Sequence, residues 1–452
     1  MKTTTSRRSG YCALFFAVVA LAASRAAPAA TLEVGPGKPF ARIEEANAKA
    51  QPGDLVLVYP RPGVRQYEKT AVFVRQKNIT FRGVPAAGRS YVPINGHGFD
   101  YSGAGSVPRA IFQFGPDADR CTLEGFELFG AHNSSHNGAG VRINQANHVT
   151  VRNCSIHGND MGIMSNGDGT LARGVDQRIE RCAIFRNGDL AQPGYNHNLY
   201  LGGTSVTLRF CEIHHSLTGH NVKSRAHHTR VEYCYVHQSA NREFDLVDAA
   251  ETVRPQSDAV LLGNIVVKDA KCPGNHGVIH FGQDGGTARN GTLHLVFNTI
   301  VTPFISPVVE LSTSGAGARL SGNVISSGGA RQSGQQVAAA RGGAALRNVA
   351  GEANWFYGDF SAQGTGLTAE ANRFAGPADG LFIDARGDNY RLLPAAARRM
   401  TIALPAEVLN LPAVPGMPEA DALRPLQWQY HHPAGGERRS EEEQVTAGAI
   451  GR

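Results

Sequence analysis

Tryptophan is nearly absent, with 2 in 452 residues, methionine is sparse at 5, and only 18% of the residues are charged. Neither sign of charge dominates: the formal net charge is +6, and the first thirty residues supply four of its cations, Lys2, Arg7, Arg8 and Arg25, leaving about +2 without them. That balance argues against a nucleic-acid partner, although a local basic cluster can still hold an acidic ligand. No Cys-x-x-Cys pair or Cys/His zinc spacing occurs, which argues against a structural zinc site. Beyond the N-terminus no apolar run is long enough for a membrane-spanning helix, so no membrane insertion is expected. What is plentiful is glycine, 53 residues, which with the many asparagines implies a chain rich in turns.

The N-terminus reads as a leader. Lys2, Arg7 and Arg8 form a positive region, Tyr11 to Ala23 an apolar one, and Ala27-Pro28-Ala29 a small-residue cleavage site. Residues 1–29 are therefore expected to be a signal peptide, and the mature protein to be exported, periplasmic or secreted, and to work as a monomer.

Of the seven cysteines, Cys12 belongs to that leader, and an even set of six remains. In an oxidising compartment such a set invites a disulfide reading. Four of them, however, recur at one place in a repeat: NHVTVRNCSIHG at 147, DQRIERCAIFRNG at 176, TSVTLRFCEIHHS at 204 and HHTRVEYCYVHQS at 227 align Cys154, Cys182, Cys211 and Cys234. The register predicts an inward ladder of small buried side chains, ordinary behaviour for free cysteine. The same frame extends to CTLEGFELFG at 121, AVLLGNIVVKD at 259, LHLVFNTIVT at 293 and ARLSGNVISSG at 318. Periods from the low twenties to the mid thirties are those of a solenoid.

Within a unit, Val149 and Val151 share one parity while Cys154 and Ile156 continue on another, which predicts a bend at Arg152-Asn153. Asparagine tolerates the left-handed backbone of such a bend, and Asn264, Asn298 and Asn323 are read as its later equivalents. A third short strand precedes each pair, at Val141-Arg142-Ile143, Ile163-Met164-Ser165, Leu199-Tyr200-Leu201, Val222-Lys223-Ser224, Leu246-Val247-Asp248 and Val278-Ile279-His280. Three short strands per coil, stacked coil on coil, predict an all-β, single-stranded parallel β-helix.

On these repeats the chain resembles the right-handed parallel β-helix proteins of the pectate lyase-like superfamily. The opening TLEVGPGKPFARIEEANAKAQPGDLVLVYP is similar to the start of that class, with an N-terminal capping helix expected at about Phe40 to Ala50, and KNITFRG at 77 resembles an early rung. One domain is expected over 30–452: cap and first coil at 30–75, central coils at 76–331, and late irregular coils with a C-terminal tail at 332–452.

The unusual residues concentrate between Tyr195 and Asp248. With Val222 and Ser224 inward, Lys223 and Arg225 point outward, and Arg142, Asn198, Tyr200, Asn221 and Asp245 share that parity on neighbouring rungs. His197 and His220 sit in equivalent positions just before the strand. Such a face suits an acidic polysaccharide: arginine holds a carboxylate, lysine with lowered pKa removes the proton beside it, and histidine moves protons near neutral pH. The expected reaction is β-elimination in a uronate polymer, with Lys223 as base, Arg225 neutralising the carboxylate, and His220 and Asp245 assisting. His197, Asn198, Tyr200, Asn221, Arg142 and Glu243 are expected to line subsites. NVKSRAHHTRVEYC also resembles the Lys-Ser segment of alginate and chondroitin lyases with this fold, which implies a base role for Lys223. No metal ligand is identified here; Ca²⁺ is the one cofactor this resemblance raises.

A glycoside hydrolase is the runner-up, since GHN followed by KSR echoes elements of polygalacturonase-type hydrolases, and Glu243 with Asp245 could form its carboxyl pair. A C5-epimerase needs nearly the same proton abstraction as a lyase. A non-catalytic polysaccharide-binding protein is the remaining alternative.

Overall fold

The computed structural model describes residues 1, 28–63, 66–102, 108–330, 333–376, 380–439 and 445–450; the leader read at 1–29 falls almost wholly outside them. Three parallel sheets wind around one core. Sheet A has twelve strands from Thr31–Val34 to Val349–Glu352, sheet B twelve from Tyr67–Glu68 to Arg373–Ala375, and sheet C ten from Val72–Val74 to Ala338–Ala340. One coil therefore reads Val222–Ser224 in sheet C, His228–Glu232 in sheet A and Tyr235–His237 in sheet B, before Phe244–Val247 returns to sheet C. This is the expected parallel β-helix.

Alternation within each strand builds the core. Val222, Val231 and Val236 point inward on one coil and Leu246, Leu261 and Val266 on the next, all fully buried. The helix Ile43–Lys49 caps the first coil by burying Ile43 and Ala46, and Glu45 accepts the N–H groups of Ala41 and Arg42, each at 3.1 Å. An uncapped first coil would leave strand edges open to pairing.

The four aligned cysteines, joined by Cys121, are free, buried and stacked at the corner between sheets A and B. Cys211 N–H reaches Cys234 Sγ at 3.4 Å, and Cys234 N–H passes the ladder on to Asn264 Oδ1 at 2.9 Å. From there asparagine amides continue it, Asn264 to Asn298 at 3.0 Å, Asn298 to Asn323 at 3.0 Å and Asn323 to Asn354 at 2.8 Å. Asn264, Asn298 and Asn323 thus replace the cysteines and are not the bend residues the sequence suggested. The left-handed residue lies one position earlier, at Asn153, Tyr233, Gly263, Phe297 and Gly322.

The late coils are more regular than expected, because sheets A and B persist to Glu352 and Ala375. Only then does the chain leave the solenoid. Its tail packs Val408, Leu426 and Val445 against Phe210, Tyr233 and Phe297 on the outside of sheet A. His228 is buried in sheet A, and His237 on sheet B is shielded as well. No described helix is long and apolar enough to cross a membrane.

Candidate active site

Sheet C keeps its outer face free of the tail's strands and places one side chain per rung in a straight row. The register runs Gln113, Arg142, Met164, Tyr200, Lys223, Asp245, His280 and Glu310. Neighbouring rungs are about 4.8 Å apart, so adjacent members touch.

Lys223 lies at the centre. Its ammonium is 3.1 Å from Asp245 Oδ2 and donates to Asp284 Oδ2 at 2.6 Å. Arg225, two residues on and also outward, donates to the Tyr200 hydroxyl at 3.0 Å, to the same Asp284 oxygen at 2.7 Å and to the backbone carbonyl of Asp248. Asp245 is the hub behind them. It meets His280 Nδ1 at 2.8 Å, His220 Nε2 at 3.4 Å and Arg242 at 3.5 Å, and Arg242 continues to Glu310 at 2.7 Å. Burial would raise the Asp245 carboxyl, but His220, the His280 hydrogen bond and Lys223 outweigh it and hold the group well below the usual carboxylate range.

Asp284 arrives from a loop that the sequence reading did not assign to the site. Residues 283–287 fold back over the rung because Asp248 gathers them: its carboxylate accepts from the backbone of Asp284, Gly285 and Thr287 at 2.5, 2.7 and 2.7 Å, and from the Thr287 hydroxyl at 2.7 Å. These donors outweigh the effect of burial and hold Asp248 down to about 2. A Cβ on Gly285 would stand 2.9 Å from the Arg225 guanidinium, so glycine is what lets the loop approach it.

Arg142 sits three rungs below Lys223. It donates to Asn144 at 3.1 Å and reaches Met164 Sδ at 3.6 Å, and no carboxylate among the described residues pairs with it. Burial, with Arg109 nearby, pushes its pKa down. Arg142, Met164, Tyr200 and Arg225 line a cleft of about 280 Å³, together with Gly167, Gly203 and Glu251.

Other expected site residues are placed elsewhere. Asn198, Asn221 and Glu243 do not face outward, because the chain turns a corner just before sheet C and aims them inside. They form a second ladder, Asn187 to Asn198 at 2.9 Å, Asn198 to Asn221 at 2.8 Å and Asn221 to Glu243 at 2.6 Å. Glu243 closes that ladder fully buried, 3.9 Å from Lys268, and burial raises its pKa. It therefore cannot pair with Asp245 across a substrate bond. His197 and His220 stack at 5.0 Å, and His197 Nδ1 accepts the backbone N–H of His220 at 3.0 Å. Both rings are buried behind the row, so His197 lines no subsite and His220 supports Asp245 without opening onto the cleft.

His280 and Ser312 were also missed. His280 Nε2 meets Ser312 Oγ at 2.7 Å, which with Asp245 gives an Asp-His-Ser chain. The Ser312 oxygen is buried and already accepts the Gln283 N–H at 2.7 Å, so the chain anchors the loop and presents no open nucleophile. Nor does the centre fit a calcium ion, which takes six to eight oxygens. Asp245 and Asp284 are engaged by cationic side chains, and no described group of three His, Cys, Asp or Glu could hold a metal.

The buried rings make stability depend on pH. Burial, ahead of neighbouring charges, pushes His220 down to about 4 and His228 down to about 3, and lowers His197 well below the ordinary value of 6.5. The unfolded chain protonates these rings near pH 6.5 while the fold resists. Their contribution is intact above pH 6.5 and is lost as pH falls from there toward about 4 for His220 and about 3 for His228, at about 1.4 kcal/mol per pH unit for each proton. Calorimetry should give a lower Tm at pH 5 than at pH 7.5; an equal or higher one contradicts the neutral, buried rings.

A parallel β-helix carrying a row of ionic and phenolic groups on one sheet face is thus the class that fold and site define. The chain belongs to the right handed beta helix family, whose model matches residues 139–374. No match to a curated protein sequence was found. Among solved structures the chain is similar to an alginate lyase from Paenibacillus sp. str. FPU-7, at 15% identity over 74% of this chain and 99% of that one, TM-score 0.45. It is also similar to the pectate lyase Pel9A, at 15% identity over 94% and 97%, TM-score 0.47. A third is the GH136 lacto-N-biosidase from Eubacterium ramulus, at 12% identity over 77% and 67%, TM-score 0.40. These are lyases and a glycosidase, so the reaction has to be argued from the side chains of this chain.

Proposed function

We propose that the protein is an exported enzyme that cleaves a uronate-containing polysaccharide by β-elimination along the outer face of sheet C. The observation that carries this reading is the grouping of Lys223, Tyr200 and Arg225 beside a cleft whose other guanidinium, Arg142, has no carboxylate partner among the described residues. A half-buried arginine without a counter-ion suits an anionic ligand, because guanidinium and carboxylate bond in a bidentate fork.

In this reading Arg142 and Arg225 bind uronate carboxylates and so acidify the adjacent C5–H. Lys223, once free of Asp284 and having passed its own extra proton to water, takes the C5 proton as the neutral amine. The electron pair forms the C4–C5 double bond, the C4–O bond breaks, and the departing oxygen takes a proton from the Tyr200 hydroxyl. Asp245, held ionised by its neighbours, orients the Lys223 ammonium after transfer, while His220 and His280 fix Asp245. Those three are positioning residues. Hydrolysis fits less well, because it needs one protonated carboxyl group. Asp245 is held as the anion and Asp284 lies between two cations.

The test is product chemistry on a panel of uronate polymers and neutral polymers. β-Elimination yields one ultraviolet-absorbing unsaturated end for every new reducing end, on acidic polymers alone. Reducing ends without that absorbance would make the protein a hydrolase. Binding without either product would leave a carbohydrate-binding protein or an epimerase, which solvent deuterium at C5 would identify.

A further inference from the structure

Lys223 and Arg225 both donate to one oxygen of one carboxylate, Asp284 Oδ2, at 2.6 and 2.7 Å. The Asp284 side chain is 41% exposed, whereas the Lys223 side chain beneath it is 11% exposed. Its loop does not depend on it, since the anchors are four donors to Asp248 and the Gln283 N–H to Ser312. The two cations do not depend on it either. Lys223 keeps Asp245 at 3.1 Å, and Arg225 keeps the Tyr200 hydroxyl and the Asp248 carbonyl. The Asp284 side chain can therefore leave by rotating about its own bonds while those backbone anchors stay in place.

We propose that Asp284 determines specificity by standing in for the substrate carboxylate, occupying the Lys223–Arg225 subsite until a sugar acid displaces it. This rests on the reading of sheet C as a uronate site and deepens it. A uronate that enters replaces both charge-assisted hydrogen bonds and releases Asp284 to water, so the exchange is nearly balanced. A neutral sugar offers no anion in return and would leave two cations short of a partner, which makes its entry costly.

Calorimetric titration of trigalacturonate and trimannuronate, with a neutral trisaccharide as control, into wild type, Asp284→Ala and Asp284→Asn tests this. Both variants should keep the wild-type Tm within a few degrees, because the loop is held by its backbone. Both should bind at least one acidic trisaccharide about ten-fold more tightly than wild type, and neutral sugar should gain far less. Unchanged or weaker acid binding in folded variants, with the wild type binding normally, overturns the stand-in. If neither wild type nor variants bind any acidic trisaccharide, the uronate reading beneath it fails.

Discussion

Lys223→Ala is expected to lower kcat on the uronate polymer by about 10²- to 10⁴-fold, the usual worth of a positioned acid–base group, while leaving the fold intact. The fold survives because Val222 and Ser224, not Lys223, fill the interior of that rung. Asp245 is not stranded by the change, since His280 at 2.8 Å and Arg242 at 3.5 Å remain beside it. Lys223→Arg separates two explanations. It keeps a cation but offers no amine that can take a proton, so it should not restore kcat. A variant whose KM rises while kcat holds would reduce Lys223 to a binding residue. Steady-state rates from ultraviolet absorbance, on protein whose circular dichroism matches wild type, settle which holds.

Asp245→Ala should cost more in stability than any other single change on this face. The carboxylate is 2% exposed and faces Lys223, Arg242, His220 and His280 together. Removing one member of such a buried network costs about 3–5 kcal/mol, because the remaining charges stay desolvated without a partner. Arg242 retains Glu310, which tempers the loss; His280 keeps Ser312 alone among the described residues. Asp245→Asn preserves the shape and one acceptor, and should lose less. Denaturant midpoints report both, and a cost below about 1 kcal/mol for Asp245→Ala would mean that water already screens the cluster.

Much of this architecture can be read directly from the chain. The cysteine register sets the coil, and the alternation around Val222-Lys223-Ser224 gives the inward and outward faces; Arg142, Tyr200, Lys223 and Asp245 fall on the row that parity assigns them. Parity fails where the chain turns. Asn198, Asn221 and Glu243 precede the strand by enough to sit in the corner, where an even spacing no longer means the same face. The signal that could have revealed them is the alignment of Asn198, Asn221 and Glu243, each one residue before its sheet C strand on successive coils, since a stacked polar group in a corner bonds its equivalents above and below. His280 and Ser312 were legible in principle, because strand register carries Asp245 to His280. Asp284 was not: it lies 61 residues from Lys223 and reaches it only through a glycine-rich loop held by Asp248.

The central claim is that acidic sugar lies along the outer row of sheet C, from Arg142 past Tyr200 to Lys223. The crystal structure of Lys223→Ala with a bound uronate oligosaccharide tests it most directly. The account predicts sugar rings running across these rungs, one carboxylate on Arg225 where Asp284 had been and another toward Arg142. An oligosaccharide bound elsewhere, for instance between the tail and sheet A beside Arg209 and Arg230, with Asp284 still on Arg225, would contradict it.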